Sequence, residues 1–191
     1  MTAEVFPRVE LTTERLRLRA FTAADAEDVH ALWHDERFVD TAPPGYRHAY
    51  ASLETAVEWC TTGTESRWRS GTAIEFAAEP LSGGRLVGHV ALFGANWTTG
   101  VAEIHYWTAP WARKRGYARE TAQAVGEWAL RDAALARIVL LAAVDNEASR
   151  RVAVTAGFQP EGILRSAALK RDGTRTDMAV YSLIQADLAR R

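Results

Sequence analysis

The sequence predicts a single mixed α/β domain, and three observations lead there. Alternating apolar and polar residues recur in short runs near the start and again between Thr72 and Ala109. The second half then orders strand, helix, strand, helix, strand, the pattern of an α/β layer. Short turns separate these runs, and no linker is long enough to part the 191 residues into two units. Apolar residues make up 48% and charged residues 25%, the balance of a globular chain able to bury a core.

Each element follows from a local pattern. "ERLRLRAF" places Leu16, Leu18 and Ala20 on one face of a half-buried strand. Thr22 precedes "AADAEDVHALWHD", where Ala26, Val29, Leu32 and Trp33 keep helical spacing and early acids suit a helix N-terminus. "TAPPGY" breaks that pattern, and a polar helix is expected from about Ser52 to Trp68. "TAIEFAAE" and "LVGHVALFG" read as strands joined by "PLSGG", and "VAEIHYWTA" as a third, so the three should form an antiparallel meander. After Gly116, the residues Ala118, Thr121, Ala122, Val125, Trp128 and Ala129 make an apolar helical stripe. "ARIVLLAAV" is a nearly continuous apolar run, expected to be covered on both faces. "NEASRRVAVTAGF" reads as a second helix stopped by Gly157. "GILRSAAL" and "TDMAVYSLI" close the chain as strands around the turn "KRDGT".

Charge and cysteine content limit the partners. A net charge of −1 argues against a broad nucleic-acid surface, so affinity for anions must be local. Cys60 is the one cysteine; no internal disulfide can form, and no nearby His motif would activate the thiol as a nucleophile. "MTAEVFPRVELTTERLRLR" contains no long apolar run, so neither a signal peptide nor a membrane span is expected, and a cytoplasmic location follows. His30 and His34 share the i, i+4 spacing of zinc ligands, but no zincin glutamate follows and no third ligand is evident, so no metal is expected.

Local anion affinity is concentrated in "WARKRGYARE", where a strand-like run gives way to a helical one. The first turn of a helix leaves backbone N–H groups unpaired at the positive end of its dipole, which makes an anion site. Gly116 admits backbone angles closed to other residues and lets a phosphate approach the chain. Tyr117 and the small Ala118 start the helix, while Arg113, Lys114, Arg115 and Arg119 add charge where a diphosphate would lie. A solvated basic helix start is the plainer reading of the same cluster. The Walker pattern and the dinucleotide GxGxxG are both absent.

"RKRGYA" resembles the R/Q-x-x-G-x-G/A loop of the GNAT superfamily of acyl-CoA-dependent N-acyltransferases. "DNEASRRVAVTAGF" is similar to the helix after that family's next strand. "LTTERLRLRAF" and "GFQPEGILRSAALKRDGTRTDMAVYSL" look like its RimJ/RimL branch, which includes ribosomal-protein N-terminal acetyltransferases. The likeness runs from about Leu11 to Leu183. It implies a GNAT fold: a mostly antiparallel mixed sheet with splayed central strands and helices on both faces. It also implies acetyl transfer from acetyl-CoA to a primary amine, either a protein N-terminal α-amine or a small molecule, and a homodimer as the family's usual assembly.

The resemblance further implies roles for named residues. Backbone around Trp107 and Thr108 would bind the pantetheine arm, which enters between splayed strands like an extra strand. Asn146 would hold that arm from the other side, although a helix N-cap suits it equally. Glu103, His105 and Trp107 share one strand face in "EIHYW", and Glu103 is the chosen base, with His105 competing. Many GNAT enzymes carry an acidic Tyr where this chain has Ala153; Ser149, one turn earlier, offers a hydroxyl instead. Trp33, His34, Tyr46 and His105, with His30 and Trp111 nearby in role, belong to the acceptor side in this reading. Two other readings stay open: a non-catalytic acyl-CoA sensor, and a nucleotide site at the same loop.

Overall fold

One eight-stranded sheet organises the chain, in the order β1-β2-β3-β4-β5-β6-β8-β7. The computed structural model describes residues 5–36, 38, 52–170 and 172–189. Its strands are β1 (Leu11–Thr12), β2 (Leu16–Arg19), β3 (Ala73–Pro80), β4 (Gly88–Asn96), β5 (Val101–Thr108), β6 (Arg137–Ala143), β7 (Gln159–Leu169) and β8 (Arg175–Ile184). Neighbours are antiparallel except β5 and β6, which run parallel because a helix carries the chain back between them. Among the described residues the α-helices include α1 (Ala26–Trp33), α2 (Leu53–Glu58), α3 (Thr64–Arg69), α4 (Tyr117–Arg131), α5 (Glu147–Thr155) and α6 (Gln185–Leu188).

Alternation along the strands splits the core in two. Leu16, Leu18, Phe76, Leu92, Ile104, Ile138 and Leu140 are buried with Val125 and Trp128 of α4, whose ring meets Phe76 edge-on. On the other face Phe21, Val29, Leu32, Trp33, Trp59 and Ala77 form a second buried cluster with α1 and α2. Helices therefore cover both faces of the sheet, as the family likeness implied.

Most expected elements form where the patterns put them, with three refinements. Thr22 caps a 3-10 turn, Ala23–Asp25, before α1; Asp25 accepts the Thr22 amide at 2.8 Å and is ion-paired to Arg19. The helix expected from Ser52 starts there, with the Ser52 hydroxyl accepting the Thr55 amide, but a π-helical turn at Trp59–Gly63 divides it into α2 and α3. Hydroxyls of Thr61, Thr62 and Thr64 bond back to carbonyls of the preceding turn, a competition that opens helical pairing. Strand β6 is the correction: Ile138, Leu140 and Ala142 are buried, whereas Val139 and Leu141 are only partly covered. Ile138, Leu140 and Ala142 join the core under α4, and alternation turns Val139 and Leu141 to the other face, where cover is incomplete.

Candidate active site

Strands β5 and β6 pair through Val101–Arg137, Ala102–Ile138 and Glu103–Val139 and then separate. From Ile104 to Thr108, β5 keeps its β4 partner and has β6 pairing no longer. The splay exposes backbone N–H and C=O groups along the inner edge of β5, a template for an extended ligand. On the other side β4 fits closely: a Cβ built on Gly88 would lie 2.5 Å from the Trp107 carbonyl oxygen.

The loop after β5 is built to turn sharply. Pro110–Ala112 forms a 3-10 turn, Lys114 takes φ 63°, and Gly116 takes φ 80° as the N-cap of α4. The first bond within the helix runs from the Glu120 amide to the Gly116 carbonyl at 3.1 Å. Gly116 has no side chain to cap the earlier amides, which leaves those of the first turn for an outside acceptor. Lys114, Arg115, Gly116 and Arg119 are exposed, and Arg115, Gly116 and Arg119 line a cavity of 710 Å³ together with the acidic Glu14, Glu120 and Glu127. These features fit a diphosphate. Arg113 differs from the expectation, because its guanidinium is ion-paired with Asp35, leaving its backbone as its share of the loop.

The β1–β2 hairpin braces this loop, which sequence reading missed. Glu120 accepts the Thr13 hydroxyl at 2.6 Å, the Arg15 amide at 3.0 Å and Arg15 Nε at 2.7 Å. Arg15 Nη1 also donates to the Arg115 carbonyl at 2.9 Å, and its guanidinium lies 4.7 Å from the Tyr117 ring centre.

Across the splay, Asn146 caps α5: its side-chain oxygen accepts the Ser149 amide at 3.1 Å. Ser149 Oγ and Tyr106 Oη are 2.9 Å apart, so a tyrosine reaches this point from β5 although position 153 carries alanine. Burial pushes the Tyr106 phenol up to about 12.

Glu103, His105 and Trp107 lie opposite Phe93, Ala91 and His89 of β4 and face the α1–α3 side. Burial raises the Glu103 carboxyl above the ordinary carboxylate value, which suits a base among aromatics. Two further residues on this floor escaped sequence reading. Glu75 of β3 bonds His89 Nε2 and takes Arg67 Nε at 2.9 Å on its other oxygen. Glu75, His89 and His105 each offer an atom within 4.8 Å of the others, but the first two are engaged with each other and Arg67 adds positive charge.

The acceptor-side expectations fare unevenly. Trp33 is buried against Trp59, beneath the surface of any groove. His34 is exposed at the end of α1, with Nδ1 2.8 Å from the His30 carbonyl; among the described residues no third ligand-type group joins this pair. Trp111 donates to the Leu86 carbonyl and stacks under Arg85. Tyr46 lies outside the described residues. Cys60 is fully buried, with its thiol pushed up to about 12 by that burial, consistent with a packing residue.

A sheet split beside a helix-start anion loop defines a class of acyl-transfer platform. The family model for the acetyltransferase (GNAT) domain matches residues 15–159, and the chain belongs to that family: it is an acetyl-CoA-dependent N-acetyltransferase. It is 30% identical over 181 residues to the uncharacterized N-acetyltransferase YoaA of Bacillus subtilis (strain 168), covering 95% of this chain and 98% of that one. Its fold is similar to the ribosomal-protein-S5-alanine acetyltransferase of Vibrio fischeri, with TM-score 0.80 at 19% identity over 94% and 98% of the chains. It is also similar to RimL, a ribosomal L7/L12 alpha-N-protein acetyltransferase solved with coenzyme A, with TM-score 0.77 at 22% identity over 94% and 97%. At such identities these two structures speak for the fold alone. No helix among the described residues is long and apolar enough to cross a membrane.

Proposed function

We propose that this one-domain enzyme transfers the acetyl group to a primary amine by direct attack, with Glu103 as the base. The observation that carries the reading is the position of Glu103 at the last β5–β6 pair, where the two strands part. Acetyl-CoA would lie with its diphosphate on the amides that follow Gly116 and its pantetheine arm along Trp107 and Thr108. Lys114, Arg115 and Arg119 would supply charge around the diphosphate, and Asn146, the N-cap of α5, would hold the arm from the other side. The thioester then ends near Glu103. An arriving ammonium must lose a proton before it attacks, and a carboxylate of raised basicity accepts it directly or through water. Ser149, held by Tyr106, meets the departing thiolate. The coenzyme thiol leaves readily, so that contact mainly orients the sulfur.

Membership in the RimJ/RimL branch and a protein N-terminal acceptor draw support from the sequence likeness between about Leu11 and Leu183. A cytoplasmic site of action fits that acceptor. The test is release of free thiol from acetyl-CoA across a panel of amines and short peptides. Turnover with at least one acceptor is expected, with Glu103→Gln slower by about 100-fold or more. Coenzyme binding without turnover on any amine would favour a sensor instead.

A further inference from the structure

Beneath the cleft floor lies a polar cluster that acetyl transfer as written above does not use. Alternation on β3 sends Ile74, Phe76 and Ala78 to the larger core and Glu75 to the α1–α3 side. The register sets Glu75 opposite Ala91 and His89 opposite Ala77, so the two polar residues sit diagonally across small alanines. His89 is 1% exposed and Glu75 7%, and they bond directly. Arg67, from the turn of α3 above, closes the second carboxylate oxygen. Aromatic rings seal the tier: Phe21, Trp59 and Trp107 stand with centroids 5.5, 5.7 and 5.0 Å from the His89 ring. His105 is next in line, with its centroid 5.1 Å from that of His89, and it shares a strand face with Glu103 two residues away. A buried ion pair made for stability alone is a poor investment against apolar packing, which directs attention to what it fixes.

We propose that His89 and Arg67, both anchored by Glu75, are positioning residues that keep the His105 imidazole uncharged beside Glu103, where the acceptor ammonium arrives. The proposal rests on the placement of the acceptor over this face of β5. An uncharged imidazole does not repel an incoming cation and presents a lone pair to it. Charged and titratable groups facing His105 are Glu75 on β3, His89 on β4, Glu103 on its own strand and Arg67 on α3. Burial and the charge of His89 push the His105 imidazole down to about 4, with Glu75 opposing and Arg67 assisting. Removing His89 while Glu75 remains therefore lets His105 take up a proton more readily. Removing Arg67 acts in the same direction and less strongly.

The experiment is a pH titration of histidine Cε1–H resonances in the full chain, with His105→Gln identifying the relevant signal. His105 should titrate well below the ordinary value of about 6.5. In His89→Gln its midpoint should rise by about one unit or more. Arg67→Gln, a change on a partly exposed helix, should raise it less, and it carries the test if His89→Gln does not fold. A wild-type midpoint near the ordinary value, or one that ignores both variants, overturns the inference. Stoichiometric divalent metal in the purified protein also overturns it, since the cluster would then be a metal centre. With an acceptor from the amine panel, His89→Gln should raise the acceptor KM at acid pH and restore it at alkaline pH; a KM unchanged throughout overturns the positioning role. Should His105→Gln leave the acceptor KM untouched, the cleft reading itself fails, whatever the titration shows.

Discussion

Gly116 couples two demands at a single residue. Its φ of 80° lies in the left-handed region, where a Cβ costs about 1–2 kcal/mol. Space is the lesser demand, because a Cβ there would meet Arg15 Nη2 at 3.5 Å, an ordinary contact. Valine is therefore expected to fold yet to turn the first-turn amides away from their aim and crowd the approach of a phosphate. The expected result for Gly116→Val is an acetyl-CoA KM at least about 10-fold higher with kcat nearly unchanged, since the chemistry proposed at Glu103 lies elsewhere. Steady-state thiol release over a range of acetyl-CoA concentrations reads this split. An equal fall in kcat at unchanged KM would place the diphosphate away from this loop.

At the scale of elements, the β1–β2 hairpin holds the anion loop from the side through one carboxylate. Burial alone would raise the Glu120 carboxyl, but hydrogen bonds from Thr13 and Arg15 outweigh it and the group is held low. Glu120→Ala removes three acceptor contacts at a partly buried group, while Arg15 keeps much of its solvent. A loss of about 2 kcal/mol is expected in urea unfolding, together with a raised acetyl-CoA KM from a loosened loop. Unchanged binding in a destabilised protein would reduce the hairpin to a prop. This contact also marks where sequence reading ends. The α4 stripe and the Gly116 turn were legible because helical period and glycine act over a few residues. Arg15 and Glu120 are 105 positions apart, and nothing local pairs them. Glu75 and His89 were hidden differently: apolar residues or glycine flank each in its strand, and only the β3–β4 register brings them together. Alternation sets Tyr106 on the strand face opposite Glu103, but its reach to Ser149 depends on how α5 packs across the split.

Over the whole molecule, acid should dissolve the links between the sheet and its α1–α3 layer before it disturbs the α4 side. Glu75 joins β3 to α3 through Arg67, and Asp25 joins the start of α1 to β2 through Arg19, which also holds Glu79. Burial opposes ionisation of Glu75, yet the His89 charge and hydrogen bond prevail and hold its carboxyl down at about 2. Asp25 is lowered too, with Arg19 and the Thr22 amide overcoming its burial. A carboxylate depressed in the folded state contributes stability in full above its unfolded pKa, and that contribution drains away as pH falls toward the folded one. Stability should therefore hold near neutrality and decline from about pH 4.5 toward about pH 2. Replacing Glu75 with Gln should lower stability at neutral pH, because Arg67 loses its counter-charge and His89 its carboxylate partner, and should flatten the acid decline. Urea midpoints followed by tryptophan fluorescence suit the measurement, since Trp33 and Trp59 report on the α1–α3 layer and Trp128 on the other core. An acid slope identical in wild type and Glu75→Gln would mean that this buried pair does not govern how the two layers separate.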